Sequence, residues 1–117
     1  MLELKPGVRI HGIRPEVVLA IHVAEGIWAK AGTPLLTITA GIEGQHANGG
    51  AGTCPSGHYD GRAVDLRTKT LLAGQAPAVV KMLTAALGPD FFVLHENIGG
   101  ANEHAHVEWR PAGAYSA

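Results

Sequence analysis

At 117 residues the chain has the length of one domain, taken as residues 1–117, which can bury roughly two thirds of its unfolded surface in one core. A formal charge of −1 with no basic stripe argues against nucleic acid as the main partner, and no apolar run approaches the ~20 residues of a membrane span. The single cysteine, Cys54, cannot make an internal disulfide, so stability does not depend on an oxidising compartment.

The opening, Met1-Leu2-Glu3-Leu4-Lys5-Pro6-Gly7, lacks the basic start and apolar run of a signal peptide, so the expectation is a protein that is cytoplasmic as synthesised. Val17, Val18, Ile21, Ala24, Ile27 and Trp28 recur at helical spacing and predict a helix over Pro15–Ala31, entered at Arg14-Pro15 and left at Gly32. Leu35–Ala40 alternates as a short strand. Residues 41–57 are rich in Gly, Asn, Thr and Ser without periodicity, and are read as a rim of a substrate cleft. Arg62–Arg67 reads as a strand, Ala76–Leu87 as a second helix bounded by Gly74 and Gly88-Pro89, and Phe91–Leu94 as a strand. Asn97–Asn102 connects to a last strand, His104–Trp109. Elements in blocks without regular βαβ alternation predict an α+β fold, a small mainly antiparallel sheet with two flanking helices.

Chemistry concentrates in two segments. The first is Ser56-Gly57-His58-Tyr59-Asp60-Gly61-Arg62-Ala63-Val64-Asp65, and the second is Glu103-His104-Ala105-His106. A catalytic zinc takes about three nitrogen or oxygen ligands and leaves one position for water. His58, Asp65 and His106 supply that set, and Glu103 supplies a base. Alternation puts Ala63, Asp65 and Arg67 on one face of the first strand, and His104, His106 and Glu108 on one face of the second. Glu103 has the wrong parity for that face in a regular strand, so it reaches the site only from a loop or bulge. Asp60, Arg67 and Glu108 are candidate partners that fix imidazole tautomers. His11, His22 and His95 have no partners in sequence and are read as exposed or incidentally packed. Cys54 is read as a free thiol, and Trp28 and Trp109 as core anchors.

The pattern Ser-x-His-x-x-Gly-x-Ala-x-Asp, followed by Glu-x-x-His within a His-x-His, resembles peptidase family M15 over about Leu35–Arg110. That group of zinc peptidases includes D-Ala-D-Ala carboxypeptidases and L-alanyl-D-glutamate endolysins, and its fold is shared with the Hedgehog signalling domain. The resemblance implies one Zn²⁺ per chain on His58, Asp65 and His106, with Glu103 as the catalytic carboxylate and His104 near the reaction centre. It implies a Hedgehog/DD-peptidase-like fold and a peptidoglycan stem peptide as substrate. A monomer is expected, reaching the cell wall through a holin-opened membrane or on a phage particle. Many members carry a Ser-Gly-x-Arg segment before the metal motif. Here Thr39-Ala40-Gly41-Ile42-Glu43-Gly44-Gln45-His46 has no Arg, and His46, His104 or Arg62 stand as substitutes, with Tyr59 lining the cleft. Two other readings stay open: a catalytically silent, zinc-stabilised binding or assembly module of the same fold, and a zinc hydrolase acting on a non-peptide amide.

Overall fold

The computed structural model describes residues 1–43 and 60–111. Along the chain run β1 (Leu2–Leu4), α1 (Pro15–Lys30), β2 (Leu36–Ala40), β3 (Ala63–Arg67), α2 (Ala76–Leu87), β4 (Phe91–Glu96) and β5 (His104–Trp109). The fold is α+β, as the blocks of strand and helix predict. The five strands form one sheet in the order β1-β2-β3-β5-β4. β2–β3, β3–β5 and β4–β5 are antiparallel, whereas β1 joins β2 in parallel and makes the sheet mixed. β1 was not foreseen, because three residues are too few for alternation to register.

Helix α1 begins on Pro15, whose missing N–H and fixed φ suit the first helical position, with Glu16 in the first turn and Lys30 in the last. It ends in a Schellman motif. Gly32 lies at φ +90°, its N–H is donated to the Ala29 carbonyl, and the Thr33 N–H is donated to Trp28. Val17, Ala20, Ile21, Ala24 and Trp28 are the buried stripe, one face of a 3.6-residue period. That stripe packs with Val79 and Leu83 of α2 against Leu36, Ile38, Val64, Leu66 and Val107, so both helices cover one face of the sheet. Trp28 is fully buried and its indole N–H is donated to the Arg67 carbonyl, which ties α1 to the end of β3. Trp109 is partly buried against the same core.

Alternation along β3 and β5 then delivers the polar residues to the opposite face. Asp65 is the cross-strand partner of His106, Arg67 of His104 and Ala63 of Glu108. On the other side of β5, Glu96, Leu94 and Phe92 partner His104, His106 and Glu108. In β2 the register shifts between Ile38 and Ala40, which partner Leu66 and Asp65, so a bulge at Thr39 lies beside the Asp65 row. Among the described residues no helix is long and apolar enough to cross a membrane.

Candidate metal and active site

Asp65 and His106 meet because they are directly opposite on neighbouring antiparallel strands, where facing side chains begin about 4.5–5.5 Å apart. His106 Nδ1 lies 3.0 Å from Asp65 Oδ1, and its Nε2 lies 3.0 Å from Glu108 Oε1. The imidazole is held between two carboxylates. Burial opposes its positive charge, but the hydrogen bonds and charges of Asp65 and Glu108 raise its pKa to about 9. Burial likewise pushes Glu108 up. It is outweighed by hydrogen bonds from His106 and Arg110 and by their charges, which bring Glu108 down to about 2.

His104 stands one row along the same face. Its Nδ1–H is donated to the Asn102 carbonyl at 2.8 Å, because a carbonyl only accepts. Its Nε2 is therefore the nitrogen turned to the site, 3.3 Å from Glu96 Oε1 and 3.6 Å from Asp65 Oδ2. Leu94 and Phe92 form an apolar border on β4, with the Phe92 ring edge-on to His106 at 6.1 Å between centroids.

This arrangement suits a divalent metal in its donor chemistry. Two ligands of a tetrahedral zinc, each about 2.0 Å from the ion, stand about 3.3 Å apart. The Asp65–His106 separation of 3.0 Å is close to that. Glu108 on the far nitrogen of His106 supplies the outer carboxylate that orients a ligating imidazole. The third expected ligand, His58, lies outside the described residues, as do His46, Tyr59 and Cys54. Among the described residues alone, no group of three His, Cys, Asp or Glu side chains could hold a metal ion.

Glu103 is placed elsewhere. β5 is regular from His104 onward, so Glu103 keeps the parity of the helix-covered face. Its Oε2 accepts the Thr68 hydroxyl at 2.7 Å and lies 2.7 Å from His95 Nε2, and its Oε1 accepts the Gly99 N–H at 3.2 Å. The Thr68 hydroxyl above all, then His95 and the Gly99 N–H, lowers its pKa against the opposing effect of burial. The loop or bulge that would swing this carboxylate to Asp65 and His106 does not occur, and His104 has no contact that orients it. His95, read from sequence as having no partner, is the residue that the carboxylate pairs with. The signal was its parity. In β4, His95 alternates with Leu94 and Glu96 and so shares the face of Val93 and Phe91.

Arg62 is also corrected. Its side chain is 3% exposed, with Nε donated to Asp60 at 2.7 Å and Nη1 to Glu108 at 3.1 Å. It braces Glu108, and a side chain so buried presents almost no surface to a substrate. Asp60 and Glu108, considered as partners of histidines, thus divide. Glu108 holds His106, while Asp60 holds Arg62. Gly61 between them lies at φ +78°, and a Cβ there would meet the Gly12 carbonyl, so only glycine lets the chain pass from Asp60 into β3.

Comparison with protein families, with curated proteins and with solved structures matches nothing. The family likeness therefore rests on the motif residues themselves.

Proposed function

We propose that the chain is a zinc-dependent peptidase acting on the stem peptide of peptidoglycan. The observation that carries this reading is the cross-strand pair of Asp65 and His106, with Glu108 behind the imidazole, at the positions the motif reserves for metal ligands. His58 is the proposed third ligand. A bound zinc would supply an activated water and a Lewis acid for the scissile carbonyl.

The protein's own part is positioning. Asp65 and His106 hold the site on two rigid, adjacent strands, and the Arg62–Glu108 pair keeps the His106 ring in one orientation. His104 Nε2, on the same face, would donate a hydrogen bond to an oxygen of the reacting peptide when the ring carries its second proton. Leu94 and Phe92 give the peptide an apolar wall. Glu103, bonded to Thr68, His95 and Gly99, is left out of the proton transfer.

That last point favours a second reading, a metal-stabilised binding module that keeps the site without turnover. One experiment separates the two. Purified peptidoglycan is incubated with the protein, with and without a chelator, beside the Asp65→Asn variant, and the products are analysed by mass spectrometry. Metal-dependent fragments absent with the variant are expected, and their masses identify the bond. A protein that retains one zinc per chain and releases no fragment is the binding module.

A further inference from the structure

The sheet face that carries Asp65 and His106 also carries a cation that nothing in the described structure neutralises. Arg67 follows Asp65 by two residues on the same face of β3, about 6.6–6.8 Å along the strand, and is the direct cross-strand partner of His104. It is partly buried, and its guanidinium has no hydrogen bond or ion pair among the described residues. The other described arginines of this region are engaged. Arg62 is held by Asp60 and Glu108, and Arg110 donates to Glu108 at 2.9 Å while stacking over Phe92 at 4.4 Å. The carboxylates around Arg67 are engaged too. Glu3 accepts from Thr37, Glu96 faces His104, and Asp65 faces His106. A partly buried arginine with no anion among the described residues is open to one from a ligand, and its planar fork matches a carboxylate.

We propose that Arg67 binds a free carboxylate of the substrate, within about two residues of the bond held at Asp65 and His106. It would thereby do the work of the arginine absent from residues 39–46. The proposal rests on the peptidase reading for the position of that bond. The row spacing sets the reach, since one row along this face of the sheet spans two residues of an extended peptide. Such a site selects peptides by their charge close to the cleaved bond. The carboxylate can be the chain's C-terminus or the side chain of an acidic residue.

The test is binding to the zinc-loaded protein by isothermal titration, with two matched pairs of peptides. One pair is diacetyl-L-lysyl-D-alanyl-D-alanine and its C-terminal amide. The other is an L-alanyl-D-glutamyl peptide and its D-glutaminyl counterpart. We expect the acid of one pair to bind about 10- to 100-fold tighter than its neutral partner. Arg67→Gln should abolish that preference, and Arg67→Lys should restore part of it as a point charge without the fork. Lys81→Gln, which removes an exposed cation of α2, should leave the preference standing, and unchanged melting temperatures exclude misfolding as the cause. The pair that shows the preference identifies the source of the carboxylate. No preference in either pair, no binding at all, or a preference that survives Arg67→Gln or disappears with Lys81→Gln overturns the proposal. Cleavage is followed in the same samples. Acid-selective binding without cleavage refutes the peptidase reading while leaving Arg67 its ligand.

Discussion

Two histidine–carboxylate clusters flank the start of β5, one on each face of the sheet, and they are built from the same residue types at almost the same depth. His106 and Asp65 are 13% and 14% exposed, and His95 and Glu103 are both 11% exposed, so burial does not tell them apart. Connectivity does. On the polar face His106 is the hub, with a carboxylate at each ring nitrogen and a second imidazole beside it. On the helix-covered face the carboxylate is the hub. Glu103 takes the Thr68 hydroxyl, the His95 ring and the Gly99 N–H, and so fastens the β4–β5 turn to the end of β3. A hub imidazole offers a nitrogen that a metal can claim in place of a proton, whereas a hub carboxylate saturated by donors offers nothing. One residue of strand parity separates a site from a staple.

The sharpest way to break this contrast is to remove the hub of each cluster and read metal and rate together. Asp65→Ala should lose zinc and cleave peptidoglycan more than about 100-fold more slowly, since a direct ligand outweighs the roughly 10–100-fold effect of an outer partner. Metal content by mass spectrometry and fragment release check it. A variant that retains one zinc per chain would remove the polar-face cluster from consideration. Glu108→Gln comes next, with an expected loss of about 10–100-fold in zinc affinity, measured by competition with a chelating dye. It keeps the shape of the side chain and weakens only its hold on His106, Arg62 and Arg110.

The polar face was legible because the relevant patterns are long or strictly alternating. Arg62–Arg67 and His104–Trp109 each run for six residues, and their parity puts Asp65 on the polar face of one strand and His106 with Glu108 on that of the other; the pairing of β3 with β5 then joins them. The helices were legible for the same reason, with α2 at its observed bounds and α1 within one residue. The second cluster was not, since it depends on how far β4 extends. With a strand ending at Leu94, His95 falls in a connection and has no face. The observed strand continues to Glu96, which fixes the parity of His95 and places Glu96 across from His104. Register across three strands cannot be read from any one of them. The same holds for Arg62, which reads from sequence as a substitute for the missing arginine, and whose burial against Asp60 and Glu108 depends on where β5 lies beside it.

Glu103→Gln sharpens the comparison from the other side. As a general base its loss would slow turnover by about 10²–10⁴-fold. As a staple its loss should cost about 1–3 kcal/mol in urea unfolding, the usual range for a nearly buried hydrogen bond to a charged group. The turnover number should then stay within about tenfold of the parent. A collapse of turnover at unchanged stability would move Glu103 into the reaction and erase the distinction between the two faces.

The smallest effect is the most specific. Thr68→Val keeps the shape of a fully buried side chain and deletes only the hydroxyl that Glu103 accepts, at an expected cost of about 1 kcal/mol near neutral pH. The hydroxyl is also the leading reason that the Glu103 pKa lies below its ordinary value, so the cost should depend on pH. A carboxylate with a depressed folded pKa contributes stability above its unfolded pKa, about 4.3, and loses it as pH falls through the folded value. In Thr68→Val the depression is smaller, so the stability gap from the parent should be full at pH 7 and narrow in acid. Urea melts of both proteins at pH 7 and at successively lower pH measure it directly. A gap that stays constant would mean that the hydroxyl does not act through the charge of Glu103, and it would then have no part in holding that carboxylate away from the site.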